Sequence, residues 1–337
     1  MDNTGRNQFW EILKTLHGRD EEEIKKLISA SPWPKYLCRF RSVKESTLQQ
    51  LNNNQLFFSS ANYYDDPFDT YFYIDVQQMI PEYARMYKAL IEGNKELLNI
   101  INGVAGIVGI ESDVFTEMLK NNPLDFANLK EKLIDIRSSI QKSLFSICFC
   151  EDPYNETLWL KYADNYNGFV LVYDLDNRDN FLCGKDEVCL GCASMNSPPN
   201  IYPVYYSDER YDATRYALGV LLLERIQNQV GDRIGQFKKY VMSDLMWEPE
   251  RISLIKKKCH EYDQEWRMIR PIISEQRSFI KMKPCKVIIG FRTPEYETRL
   301  IVSAAVNAGI SEIHKLYIND SDMLDSKPVS EELFRVL

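Results

Sequence analysis

The chain has 337 residues, with 41 Lys and Arg against 49 Asp and Glu, for a net charge of -8. A face that coats duplex nucleic acid needs a cationic excess to displace counterions, so that role is disfavoured, while a local basic cleft inside an acidic protein is not. Hydrophobic residues at 45% allow one large core or two modest ones, and 20 tyrosines either fill that core or line a groove.

The first residues carry no basic segment followed by an apolar core, so no signal peptide is expected there. The longest apolar stretch, near 104–110, falls far short of the roughly 20 residues of a spanning helix. With eight cysteines and no export signal, the reading is a cytoplasmic protein with reduced thiols and no membrane partner.

Residues 5–30 read as a leading helical segment, with Phe9, Ile12, Leu13 and Leu16 at helical spacing. The prolines of 31–34 end it. A strand follows at 36–41, where Tyr36, Cys38 and Phe40 point one way and Arg39 and Arg41 the other. A short helix is expected at 42–52, a strand at 55–60 and a turn-rich loop at 62–69. Residues 76–142 are mostly helical by pattern (82–91, 94–101 and 124–140) and read as an insertion or lid. Strands resume at 144–150, 169–173 and 204–206, with a loop over 174–200. A second helical block covers 213–245, followed by strands at 262–269 and 287–290, a helix at 294–307 and a strand at 315–318. Strands and helices do not alternate one for one, so a doubly wound parallel sheet is disfavoured. The expected class is α+β, with a mixed or antiparallel split sheet and helical insertions. Its parts are an N-terminal extension (1–35), a single domain (36–325) and a C-terminal tail (326–337).

Four constellations stand out. In a strand over 262–269, Asp263, Glu265 and Arg267 share one face. That face is either solvated, with Arg267 paired to a carboxylate, or part of a cleft in which Arg267 holds a catalytic acid or an anionic ligand. Arg39 and Arg41 on one strand face suit a diphosphate, because each guanidinium can donate two parallel hydrogen bonds. They equally suit surface ion pairs. Trp159 and Tyr162 lie on one side of a helix stopped by Asn167-Gly168, which fits core packing or an aromatic platform for a ring. Cys183, Cys189 and Cys192 fall short of the four ligands of a zinc site unless Cys259 or His260 joins them, and no metal site is assigned.

Taken in order, CRFRS (38–42), LFFSSANYYDDPFD (56–69), SICFCED (146–152), WLKYADNYNGF (159–169), YSDER (206–210) and YDQEWRMI (262–269) resemble a bacterial family known as domain of unknown function 2971. The likeness covers about residues 36–320. The chain departs from it at Asp65, Cys150 and Asp263, where the family often has asparagine, serine and glutamate.

The order of elements in that family looks like that of ADP-ribosyltransferases, an argument by analogy. The likeness implies NAD as substrate. It implies the early-strand Arg41 on the diphosphate and Ser59, Ser146 or Tyr162 as the middle element, with an aromatic stacked on nicotinamide; Arg39 and Arg267 are further candidates for holding the nucleotide. Glu265 would bind the ribose hydroxyl and stabilise an oxocarbenium-like transition state, and Asp263 would orient the acceptor, a protein or nucleic acid. The setting would be a toxin or a phage-defence effector. Two other readings stand beside it. One is a non-catalytic sensor holding a nucleotide, small molecule or protein. The other is a nuclease with magnesium among Asp65, Asp66, Asp69 and Glu265.

Overall fold

The structure is a computed structural model that describes residues 1–18, 21–30, 34–66, 68–79, 129–177, 181–182, 201–221, 245–270 and 279–330. Its strands, in chain order, are β1 (Tyr36–Arg41), β2 (Gln55–Phe57), β3 (Ser59–Ser60), β4 (Phe72–Tyr73), β5 (Phe145–Cys150), β6 (Phe169–Asp174), β7 (Phe181–Leu182) and β8 (Ile201–Pro203). There follow β9 (Tyr205–Ser207), β10 (Tyr211–Asp212), β11 (Ile255–Lys257), β12 (Glu265–Arg270), β13 (Phe279–Met282), β14 (Lys286–Ile289), β15 (Glu312–Ile318) and β16 (Leu324–Pro328).

The main sheet has the order β16-β15-β14-β6-β1-β5-β12-β8, with β3 joined to β5 as a ninth strand. Its pairs are antiparallel except β14 with β15, which flank the helix Glu295–Asn307. The fold is therefore α+β with a mixed sheet.

Alternation of side chains assigns the two faces. Leu37, Ile147, Phe149, Phe169, Leu171, Trp266, Met268, Val287 and Ile289 point to one face, where Ile301, Val302 and Leu51 from two helices complete the core. Cys38, Phe40, Cys150, Val170, Val172 and Ile288 point to the other, covered by Leu158 and Trp159 of the helix Glu156–Tyr162.

The sheet is split at its centre. β1 and β5 share a single register pair, Cys38 with Cys150. Beyond it β5 takes β3 as its neighbour, pairing Ser59 with Ser146 and Ser60 with Phe145, while β12 follows β5 along its whole length on the other side. β1 stays with β6 from Tyr36 to Arg41. Two strand edges thus part between β1 and β5.

Several expectations need correction. The leading helical segment is two helices, Asn3–Thr15 and Glu21–Ala30, and the first belongs to the core. Its Phe9, Trp10 and Leu13 are buried among Tyr202, Val204, Trp247 and Ile255. The strand expected at 262–269 begins at Glu265, because Lys258–Asp263 is a 3-10 turn and Gln264 adopts a left-handed conformation at φ 43°. The strand expected at 55–60 is broken at Phe58, and 204–206 is the second of two short strands. The expected tail begins within an edge strand, β16, paired with β15. Of the expected insertion 76–142, the helix Leu129–Ser143 is seen, whereas 82–91 and 94–101 lie outside the described residues. So do Cys183, Cys189 and Cys192, and most of the block 213–245. Among the described residues no helix is long and apolar enough to cross a membrane.

Candidate functional site

The split opens into a cavity of about 660 Å3, within the range of pockets that hold small ligands. Arg39, Phe40 and Arg41 of β1 line one side, and Ser146, Cys148 and Phe149 of β5 the other. Continuing the register of Cys38 with Cys150 would pair Arg39 with Phe149 and Phe40 with Cys148. The cavity therefore occupies the place where that ladder would have run. Ser59, Tyr162, Asp263 and Glu265 line it too. Of the eight residues expected to serve catalysis or nucleotide binding, seven thus line one hollow. Arg39 and Arg41 extend toward the face opposite Glu265, and the parted strands let both sets reach the same space.

Arg267 is the exception. It is 0% exposed, and its guanidinium is engaged on every side: Nε to Glu265 Oε1 at 2.6 Å, Nη1 to the Ser253 carbonyl at 2.6 Å and Nη2 to Asp69 Oδ2 at 2.7 Å. Tyr64 covers it, with its ring 5.1 Å from the guanidinium carbon. Arg267 holds the acid from behind and does not line the cavity, so the ligand-gripping role expected for it is withdrawn.

Glu265 and Arg267 share a strand face and Asp263 joins them from the 3-10 turn; the group is neither solvated nor a surface ladder, and all three side chains are buried. What compensates them is Lys256 of β11, whose ammonium donates to Asp263 Oδ2 at 2.7 Å and to Glu265 Oε2 at 2.9 Å, with Asp69 Oδ2 at 3.8 Å. Three carboxylates against two cations leave one net negative charge in a buried cluster. Burial alone would raise the Glu265 carboxyl, but Arg267 and Lys256 hold it well below the usual carboxylate range. Burial likewise opposes the charge on Lys256, and Glu265, Asp69 and Asp263 raise it well above the ordinary lysine value. At neutral pH the wall thus carries a fixed carboxylate, which is a negative centre rather than a proton donor.

The first helix sets the backbone of that acid. Arg6 donates to the Glu265 carbonyl at 2.8 Å and to the Val204 carbonyl at 2.9 Å, and Glu151 receives it at 2.7 Å. The Glu265 N–H donates to the Tyr206 hydroxyl at 2.8 Å. No motif marked Arg6 or Lys256, and Tyr206 opened the block YSDER without a role assigned to it. Lys256 sits in a run of three lysines, which reads as a solvated stretch, and Arg6 acts across 259 residues of chain.

At the other end the charges are positive. Arg39 Nη1 is buried without a hydrogen-bond partner, and its guanidinium carbon lies 5.8 Å from the Phe149 ring centre. Arg41 donates to Gln50. Burial, together with the neighbouring Arg39 charge, pushes Arg41 down to about 9. Arg41 remains a cation at neutral pH. Among the described residues neither arginine has a carboxylate partner, so an anion placed here would relieve a repulsion the protein leaves standing.

Between the poles stand the hydroxyls. Ser146 exchanges a hydrogen bond with the Tyr64 hydroxyl, and Tyr162 closes the wall from its helix. That helix is capped by Asn155, whose side chain accepts from the Leu158 N–H at 3.1 Å and donates to the Tyr262 carbonyl at 2.6 Å. At the rim His260 Nε2 lies 3.0 Å from Asp66 Oδ2. Of the four carboxylates expected around magnesium, Asp66 faces His260, Asp69 and Glu265 are bound to Arg267, and Asp65 lines the cavity. Among the described residues no group of three His, Cys, Asp or Glu is arranged to hold a metal ion.

No protein-family model, curated protein or solved structure matches the chain.

Proposed function

We propose that the chain is an NAD-consuming, ADP-ribosyltransferase-like enzyme, and that its likeness to the 2971 family is part of this reading. The observation that carries it is the bipolar cavity, with Arg39 and Arg41 unpaired by carboxylates at one pole and ionised Glu265 at the other. A dinucleotide with an anionic diphosphate and a cationic nicotinamide ribose matches both poles. Breaking the nicotinamide–ribose bond sends the bonding electrons to nicotinamide and leaves positive charge on the sugar. Fixed negative charge on a buried carboxylate stabilises that charge more than water would. Asp263 keeps Oδ1 without a hydrogen-bond partner, an acceptor atom free to orient the incoming nucleophile. Tyr162 supplies an aromatic wall for a ring.

One observation favours a second reading, a module that binds a nucleotide without turning it over: both acids share the Lys256 ammonium. Turnover separates the two. Wild-type protein that releases nicotinamide from NAD, with Glu265→Gln folded and inactive, supports the transferase. A melting temperature raised by NAD with no nicotinamide released supports the binder. Protein indifferent to NAD on both counts removes the proposal.

A further inference from the structure

At the point where the sheet splits, two thiols face each other. Cys38 and Cys150 form the only register pair between β1 and β5, and their Sγ atoms lie 3.0 Å apart. Directly opposed residues of antiparallel strands have Cα atoms about 4.5–5.5 Å apart, inside the span of about 4.4–6.8 Å that a disulfide bridges. Closing the bond brings the sulfurs to about 2.05 Å, a movement of about 1 Å, without any change in strand pairing.

The pair is reachable. Both cysteines line the cavity, so a small oxidant arrives through the same opening as a ligand, although little of either side chain meets bulk solvent. Nothing in the account of NAD cleavage uses them. The nearest other thiol on that wall, Cys148, has Ser146 Oγ as its neighbour at 3.6 Å rather than a second sulfur. Each thiol of the pair meets a backbone carbonyl, Cys38 that of Cys150 at 3.3 Å and Cys150 that of Asp152 at 3.7 Å.

We infer that Cys38 and Cys150 are a redox-active pair that forms a reversible disulfide across the neck of the split when hydrogen peroxide enters the cavity. One thiolate attacks the peroxide, forming a sulfur–oxygen bond and expelling hydroxide, which leaves as water. The second thiol displaces the hydroxyl of that sulfenic acid, again as water. Two S–H bonds and one O–O bond are consumed, one S–S bond and two waters result, and a dithiol reductant reverses the change. Burial, and then the Cys38 neighbour, push the Cys150 thiol well up, so the reaction is slow at neutral pH and quickens as pH rises. The bond fixes β1 to β5 beside Arg39, and so ties the width of the cleft to the redox state. This inference stands whether or not NAD is the ligand.

The test is disulfide mapping on the folded, full-length chain. Protein is treated with hydrogen peroxide at neutral and at raised pH, free thiols are blocked, and protease fragments are weighed before and after reduction. The expected result is one cross-linked fragment joining the peptides of Cys38 and Cys150, formed faster at the higher pH, reversed by dithiothreitol and absent from Cys150→Ser. Recovery of Cys38 and Cys150 as separate blocked thiols, under peroxide that oxidises the exposed Cys259, would overturn it.

Discussion

The ammonium of Lys256 lies 2.9 Å from the carboxylate of Glu265, and the two are buried together on the wall of the cavity. Burial opposes the charge on each; Arg267 and Lys256 keep Glu265 ionised, and Glu265, Asp69 and Asp263 keep Lys256 charged.

Replacing Lys256 with Met leaves Asp263 without its cation and Glu265 with Arg267 alone. Breaking a buried ion pair by removing one partner costs about 3–5 kcal/mol. The expected loss of stability is of that order, read from urea unfolding. A loss below about 1 kcal/mol would mean that the cluster is in effect solvated.

Acid acts on the same cluster. Against the opposing effect of burial, Arg267 and Lys256 hold Glu265 below its ordinary value, so the folded protein binds a proton there less readily than the unfolded chain does. The stabilisation is complete above the unfolded value of about 4.3 and is lost as pH falls below it toward the folded value. Unfolding free energy measured from pH 6 down to about 3 should fall more steeply for wild type than for Glu265→Gln. Parallel curves would contradict the assignment.

Arg39 gives the opposite contrast. Its Nη1 has no partner to lose, and its contact with the Phe149 ring is worth about 0.5–1 kcal/mol. Arg39→Ala should fold with little change, yet lose about 1.5–3 kcal/mol in nucleotide binding, roughly 10- to 100-fold. Titration calorimetry with NAD reads both affinity and heat, and unchanged affinity would place the diphosphate elsewhere.

Gly168 is where β1 meets the turn before β6. A Cβ there would stand 2.1 Å from the Arg41 carbonyl oxygen and 2.9 Å from the Ala163 Cα, both backbone atoms. Gly168→Ala must shift the strand that carries both cavity arginines. A destabilisation of about 1–3 kcal/mol or more is expected, with weakened nucleotide binding in whatever protein still folds.

Sequence reasoning found the arginine strand because alternation alone puts Arg39 and Arg41 on one side of 36–41. It found Glu265 and Arg267 as neighbours for the same reason, but not their burial. That burial depends on partners distant in sequence, Arg6 and Asp69 among them. The split was equally hidden: β5 changes partner from β1 to β3 through pairings about 90 and 110 residues apart, which no local pattern encodes. β16 was missed because Leu-Asp-Ser-Lys-Pro reads as a tail; its Pro328 is tolerated at the sheet edge, where a missing N–H costs little.

The central claim, that the arginine pole and Glu265 act on one dinucleotide, is tested most directly by following NAD with purified protein by proton NMR. Wild type should convert the nicotinamide ring signals to those of free nicotinamide, and Glu265→Gln should bind NAD and leave those signals unchanged. Unchanged NAD signals with the wild type, without line broadening from binding, would contradict it.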